Sequence, residues 1–173
     1  MNQGRAQARK QCEDLVAVLE VPEPFDLGSL CQRIGQASGR PIVLMPTAMT
    51  FGNFCGLWLA TAKADYVFYE QHTTPLHQVH IVFHELGHIL RGHSASRTLG
   101  EDVARALTAA VEPGEVQRVL GRDTYNNEAE YEAELIATLL LQRIGKPTPQ
   151  VAQQDANDAE SRIERTLRRP GRR

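Results

Sequence analysis

Apolar residues along this chain recur at helical spacing on either side of a central block of short, strand-like runs. From about Gln7 to Leu19, Leu15, Val16, Val18 and Leu19 stand among charged residues, which predicts a helix ended by Pro22. Pro24 and Asp26 open a second helix carrying Leu27, Leu30, Cys31 and Ile34, closed by Ser38-Gly39-Arg40-Pro41. Three strand candidates follow, Ile42 to Met45, Gly56 to Thr61 and Asp65 to Glu70. The last holds Tyr66-Val67-Phe68-Tyr69, a run of strong β propensity, while Pro46 and Gly52-Asn53 punctuate the gaps.

Pro75, preceded by Thr73 and Thr74 as caps, suits the first turn of a helix that runs to about Arg91 and that Gly92 can stop. Short helices are expected at about Asp102 to Val111 and Glu115 to Leu120, split by Pro113-Gly114. A long helix from about Asn127 to Ile144 ends at Gly145 and Pro147, and a polar one from about Gln150 to Leu167 follows. Helices, a small sheet and then helices make an α+β order, with a short, mostly antiparallel three-stranded sheet expected in the middle. Residues 1–167 read as a single domain and 168–173 as a basic disordered tail, since Pro170-Gly171 breaks any helix among its arginines.

Composition narrows the class. The chain has 173 residues, 42% of them hydrophobic, enough for one real core. A net charge of −2 gives the whole molecule no electrostatic pull toward nucleic acid or a membrane surface. The polar start after Met1 lacks the apolar segment of a secretory signal, and the apolar runs are too short to span a bilayer. Cys12, Cys31 and Cys55 are odd in number, widely spaced and in no ligand pattern, as expected of buried or half-buried thiols in a reducing compartment. These features predict a cytoplasmic protein with no membrane contact.

The chemistry concentrates in His84-Glu85-Leu86-Gly87-His88. A string this short can arise by chance, so its setting carries the weight. His84 and His88 lie one helical turn apart on one face, as two ligands of a single ion must. Val79, Val82, Leu86, Ile89 and Leu90 supply an apolar back. Glu85 projects at the edge of the histidine stripe, where a carboxylate can accept a proton from a metal-bound water without ligating the metal. Gly87 lowers helix stability by about 1 kcal/mol relative to alanine, so its presence predicts a close approach, either of a neighbouring element or of a substrate.

A catalytic zinc takes three protein ligands and leaves a position for water. The downstream helix offers Glu130 as the third, on a face shared with Glu134, Ala133, Ala137 and Leu141. Glu134, one turn on, suits a partner that orients a metal-bound imidazole. Glu128 and Glu132 point the other way and read as a solvated acidic helix start favoured by the macrodipole. His93 misses the metzincin spacing, which would require glycine and histidine where Arg91 and Ser94 stand, and reads as a helix-end histidine. His77 and His80 continue the ligand face upstream and read first as solvent-facing or cap-region histidines; with Tyr125 and Tyr131 they are further candidates to orient a ligand or to stabilise an oxyanion.

Residues 74–88, Thr74-Pro75-Leu76-His77-Gln78-Val79-His80-Ile81-Val82-Phe83-His84-Glu85-Leu86-Gly87-His88, together with Glu130-Tyr131-Glu132-Ala133-Glu134-Leu135-Ile136-Ala137, resemble the ImmA/IrrE family of bacterial metallopeptidases. Glu130 falls at the ligand position of the family's Glu-x-x-Ala-Asn/Asp-x-Phe-Ala signature and Ala133 at its alanine. Glu134 stands in place of Asn or Asp, Ile136 in place of the aromatic, and Leu140-Leu141-Gln142 where Leu-Met-Pro is common. Phe54 to Leu59 and Asp65 to Tyr69 also look like the family's strands. The resemblance implies a small zincin-like fold with one zinc ion. It further implies proteolytic control of a partner helix-turn-helix transcriptional regulator, in mobile elements, toxin–antitoxin pairs or stress responses. Direct nucleic-acid binding is not expected, because the chain carries no helix-turn-helix of its own. The alternative is a non-catalytic regulatory module that a metal merely braces; the intact Glu85 argues against it, since a structural site has no use for a base.

Overall fold

A computed structural model describes residues 2–48, 55–93, 116–120 and 127–145. In chain order these form α1 (Asn2–Val18), α2 (Leu27–Ser38), β1 (Ile42–Thr47), β2 (Gly56–Thr61), β3 (Asp65–Glu70), α3 (Pro75–Arg91), β4 (Val116–Leu120) and α4 (Asn127–Ile144). The class is α+β, as expected. The helix expected at 102–111, the one at 150–167 and the basic tail lie outside the described residues.

Local chemistry accounts for most boundaries. The Asp26 side chain caps α2 by accepting from the Ser29 N–H at 2.6 Å, and Gly39, with φ of 72°, closes it in the left-handed region. Helix α1 begins earlier than its apolar periodicity indicates, because Gly4 to Gln7 are exposed and carry no apolar stripe to register.

The sheet corrects two expectations. It has four strands in the order β1-β3-β2-β4, with β1 parallel to β3 and the other two pairings antiparallel. The fourth strand occupies Val116–Leu120, where a short helix was expected. Five residues cannot sustain a helix alone, whereas antiparallel pairing with β2, Trp58 opposite Leu120 and Thr61 opposite Val116, supplies backbone partners. Strand β1 also continues through Pro46 to Thr47. Among the described strands it lies at the edge, bonded to β3, where proline's missing N–H removes no ladder bond.

Strand β2, Gly-Leu-Trp-Leu-Ala-Thr, is buried along its whole length, which matches its unbroken apolar run. The principal core is filled by Leu30 from α2, Val67 from β3, Val82 and Phe83 from α3, and Ile136 and Leu140 from α4. Cys12 and Cys31 are buried and Cys55 is half-buried, and burial pushes the Cys12 thiol up. Among the described residues no helix is long and apolar enough to cross a membrane.

One buried carboxylate ties the sheet to the loops. Asp65 accepts from Arg40 Nε and Nη2, both at 3.0 Å, and from the Trp58 indole N–H at 3.0 Å. Arg40 Nη2 also donates to the Thr61 carbonyl at 2.7 Å. Asp65→Ala leaves the indole N–H and part of the guanidinium without their acceptor. The expected loss is about 1.5–3 kcal/mol, the range for hydrogen bonds to a charged group, and urea unfolding of the variant beside the wild type measures it.

Candidate metal centre

Helix α3 is built to hold its register. Thr74 caps it, with Oγ1 accepting from the His77 N–H at 3.3 Å; Pro75 takes the first turn; Gly92, with φ of 62°, ends it. Its apolar positions seat it on the sheet and on α4, and the burial extends to the motif: His84 and Glu85 are each 5% exposed and His88 is 0% exposed.

Gly87 is the contact point with α4. A Cβ placed there would lie 2.8 Å from the Ala133 Cα and 2.9 Å from its carbonyl oxygen, so the two helices meet backbone to backbone. Of the two approaches that Gly87 left open, the neighbouring helix is the one seen. The pairing runs antiparallel: His80 lies opposite Glu134, and His88 opposite Glu130.

This crossing brings three donors together. His84 Nε2 and His88 Nε2 are 3.1 Å apart, and Glu130 approaches each at 3.6 Å, through Oε2 and Oε1 respectively. Donors about 2.0–2.1 Å from a tetrahedral zinc stand about 3.3–3.4 Å from one another; the two imidazole nitrogens are near that spacing, and with one donor atom taken per residue the whole trio lies within 4.8 Å. The trio could hold a metal ion. Its donors, two imidazole nitrogens and a carboxylate oxygen, suit zinc and its neighbours in the transition series.

Glu85 stands outside that trio. Its side chain lies along β2 beside Gly56, where an added Cβ would fall 2.8 Å from Glu85 Oε1 and 2.5 Å from Ile81 Cγ2. Glycine at the start of β2 therefore makes the space in which the Glu85 carboxylate sits.

The remaining candidates separate. Glu134 reaches the centre from its exposed side, with Oε2 3.4 Å from His84 Nδ1 and Oε1 3.1 Å from His80 Nε2. His77 is not brought there: its Nδ1 pairs with Thr73 Oγ1 at 2.8 Å in the first turn. Tyr131 is turned toward α1, with the Arg5 guanidinium 5.5 Å from its ring centroid. Tyr125 lies outside the described residues.

Glu132 corrects the sequence reading. Glu128 is exposed at the helix start as expected, but Glu132 is buried and accepts from Arg91 Nε at 2.7 Å and Nη2 at 2.9 Å. The Arg91 guanidinium holds the Glu132 carboxyl below the usual carboxylate range against the opposing effect of burial, and His93 adds to the lowering. His93 is likewise more than a helix-end residue, since its Nε2 is 2.9 Å from Glu132 and its Nδ1 3.0 Å from His88 Nδ1. A signal was present for Glu132: it lies one and two turns before Ile136 and Leu140, both fully buried, and so continues the core stripe of α4.

Comparison of the chain with protein-family models, with curated proteins and with solved structures finds no match. The functional reading therefore rests on the residues and their arrangement.

Proposed function

We propose that this protein is a zinc-dependent metallopeptidase with a zincin-like site, in which His84, His88 and Glu130 hold one zinc ion and Glu85 is the general base. The observation that carries the reading is the cluster of two imidazole nitrogens and a carboxylate within 4.8 Å of one another, with a buried glutamate beside it on the same helix turn. When bound there, zinc polarises a peptide carbonyl and lowers the pKa of a water to about 7. Glu85 takes a proton from that water as its oxygen bonds to the peptide carbon. The same carboxyl then delivers the proton to the departing nitrogen as the C–N bond breaks. Gly56 leaves the Glu85 side chain room to lie beside β2. Glu134 stands 3.4 Å from His84 Nδ1, the side on which a metal-bound imidazole takes an orienting partner. His80, partly exposed, pairs with Glu134 at the edge of the site.

The proposed substrate is a protein, a helix-turn-helix transcriptional regulator, supported by the resemblance of the two ligand-bearing segments to the ImmA/IrrE family. Burial of both histidines would also suit a metal that only braces α3 against α4 in a regulatory binding module. Glu85, and a Glu130 side chain still 29% exposed toward solvent, favour catalysis.

The zinc-loaded chain should cut a helix-turn-helix regulator that it binds into fragments visible by mass spectrometry. Cleavage should stop with a chelator and in His84→Ala, His88→Ala and Glu130→Ala, which should purify with little zinc. A regulator that is bound tightly but remains whole in the presence of zinc would replace the peptidase with the non-catalytic module.

A further inference from the structure

Beyond the donor trio, a chain of side chains runs from His88 away from the site and ends on a buried ion pair. Gly92 turns the backbone at the end of α3 so that the His93 N–H returns to the His88 carbonyl at 3.0 Å. That turn folds the His93 ring against His88, edge-on with centroids 5.1 Å apart and the two Nδ1 atoms 3.0 Å apart. On its far side His93 Nε2 meets Glu132 Oε2 at 2.9 Å. Glu132 is gripped by Arg91 through two hydrogen bonds, and Arg91 Nη2 donates also to Gln11 Oε1 of α1 at 3.1 Å.

The proton positions in this chain follow from its far end. A carboxylate paired with a guanidinium is an acceptor only, so the contact with His93 requires a proton on His93 Nε2. A neutral imidazole carries a single N–H, which leaves a lone pair on His93 Nδ1. The contact between the two Nδ1 atoms then requires His88 to donate. With its proton on Nδ1, His88 presents a lone pair on Nε2, the atom that faces His84 Nε2 and Glu130.

We propose that His93 and Glu132 are positioning residues that hold the proton of His88 on Nδ1 and so direct its Nε2 lone pair to the metal. The inference rests on the metal-centre reading above and deepens it. The two ligand histidines have different neighbours: a carboxylate at the exposed edge lies 3.4 Å from His84 Nδ1, while an interposed imidazole inside the protein meets His88 Nδ1 at 3.0 Å. Charge placed on Glu132 by Arg91 is thereby translated, without any contact to the ion, into the tautomer of a ligand.

The test is zinc affinity, measured on the full chain by competition with a chromophoric chelator, together with nitrogen NMR of the imidazoles in the zinc-loaded protein. His93→Ala and Glu132→Gln should weaken zinc binding about 10- to 100-fold, the usual effect of removing a ligand's hydrogen-bond partner. His93→Asn, whose Oδ1 takes the place of Nδ1 as an acceptor, should recover part of the loss. In the wild type, His93 should show its proton on Nε2 and a bare Nδ1. Wild-type affinity in His93→Ala, with binding lost in His88→Ala, would overturn the relay and leave the metal centre standing. A proton on His93 Nδ1 would overturn it equally, because His93 would then donate to His88. If Glu132→Gln fails to fold, the wild-type NMR pattern and His93→Ala decide the question. Zinc bound as tightly by His88→Ala as by wild type would instead remove the metal-centre reading itself.

Discussion

Glu85→Gln should bind zinc as the wild type does and hydrolyse its substrate about 10²–10⁴ times more slowly, the usual contribution of a positioned general base. Glutamine keeps the length and planarity of the side chain, so it fits the space beside Gly56 that Glu85 occupies. Its amide has no affinity for a proton near neutral pH, and that is the one property the proposed reaction requires of this position. The donor trio does not include residue 85, so metal content should be unchanged. Single-turnover cleavage at matched zinc loading separates the two quantities. A variant that keeps its zinc and still cleaves at the wild-type rate would remove Glu85 from the mechanism and move the protein toward the non-catalytic reading.

Gly87→Ala should damage both stability and the metal centre, although alanine is the better helix former by about 1 kcal/mol. The added methyl would meet the Ala133 Cα at 2.8 Å and the Ala133 carbonyl oxygen at 2.9 Å. Both are backbone atoms, so no side chain can swing aside and α3 must part from α4. Overpacking of this kind costs about 1–3 kcal/mol. The net loss, about 0–2 kcal/mol once the helix-propensity gain is subtracted, would lower the thermal midpoint by up to roughly 8 °C in a chain of this size. The same parting draws Glu130, one turn before Ala133, away from two histidines that it now reaches at 3.6 Å. Zinc affinity should therefore fall along with the midpoint. Thermal unfolding with and without added zinc checks both effects. A Gly87→Ala protein more stable than wild type and fully zinc-loaded would mean that the helices do not meet here.

The helix that carries the motif was legible because its signals are local. Thr74, Pro75 and Gly92 mark its ends through their own backbone chemistry, and His84 and His88 share a face by helical geometry alone. The same holds for β2, β3 and α4, whose observed limits match the apolar runs and their bounding residues. Glu130 could be placed opposite the histidines because alanines on its face foretold a close helix contact, which Gly87 and Ala133 provide.

What stayed hidden depends on partners distant along the chain. Val116–Leu120 has no length to specify its own conformation, and its strand form comes from the backbone groups that β2 presents to it. Pro46 could remain in a strand only because β1 lies at the edge of the sheet, a fact of strand order. Glu132 looked like a solvated acid because charge on a helix is usually hydrated. It is buried because Arg91, 41 residues away, ends α3 within hydrogen-bond reach. By itself the sequence determined which residues could carry the chemistry and the helices that display them, since caps and 3.6-residue periodicity act over a few neighbours. Only the tertiary structure decided that Glu132 is buried against Arg91 and His93 behind the histidines, because that follows from where two helices cross.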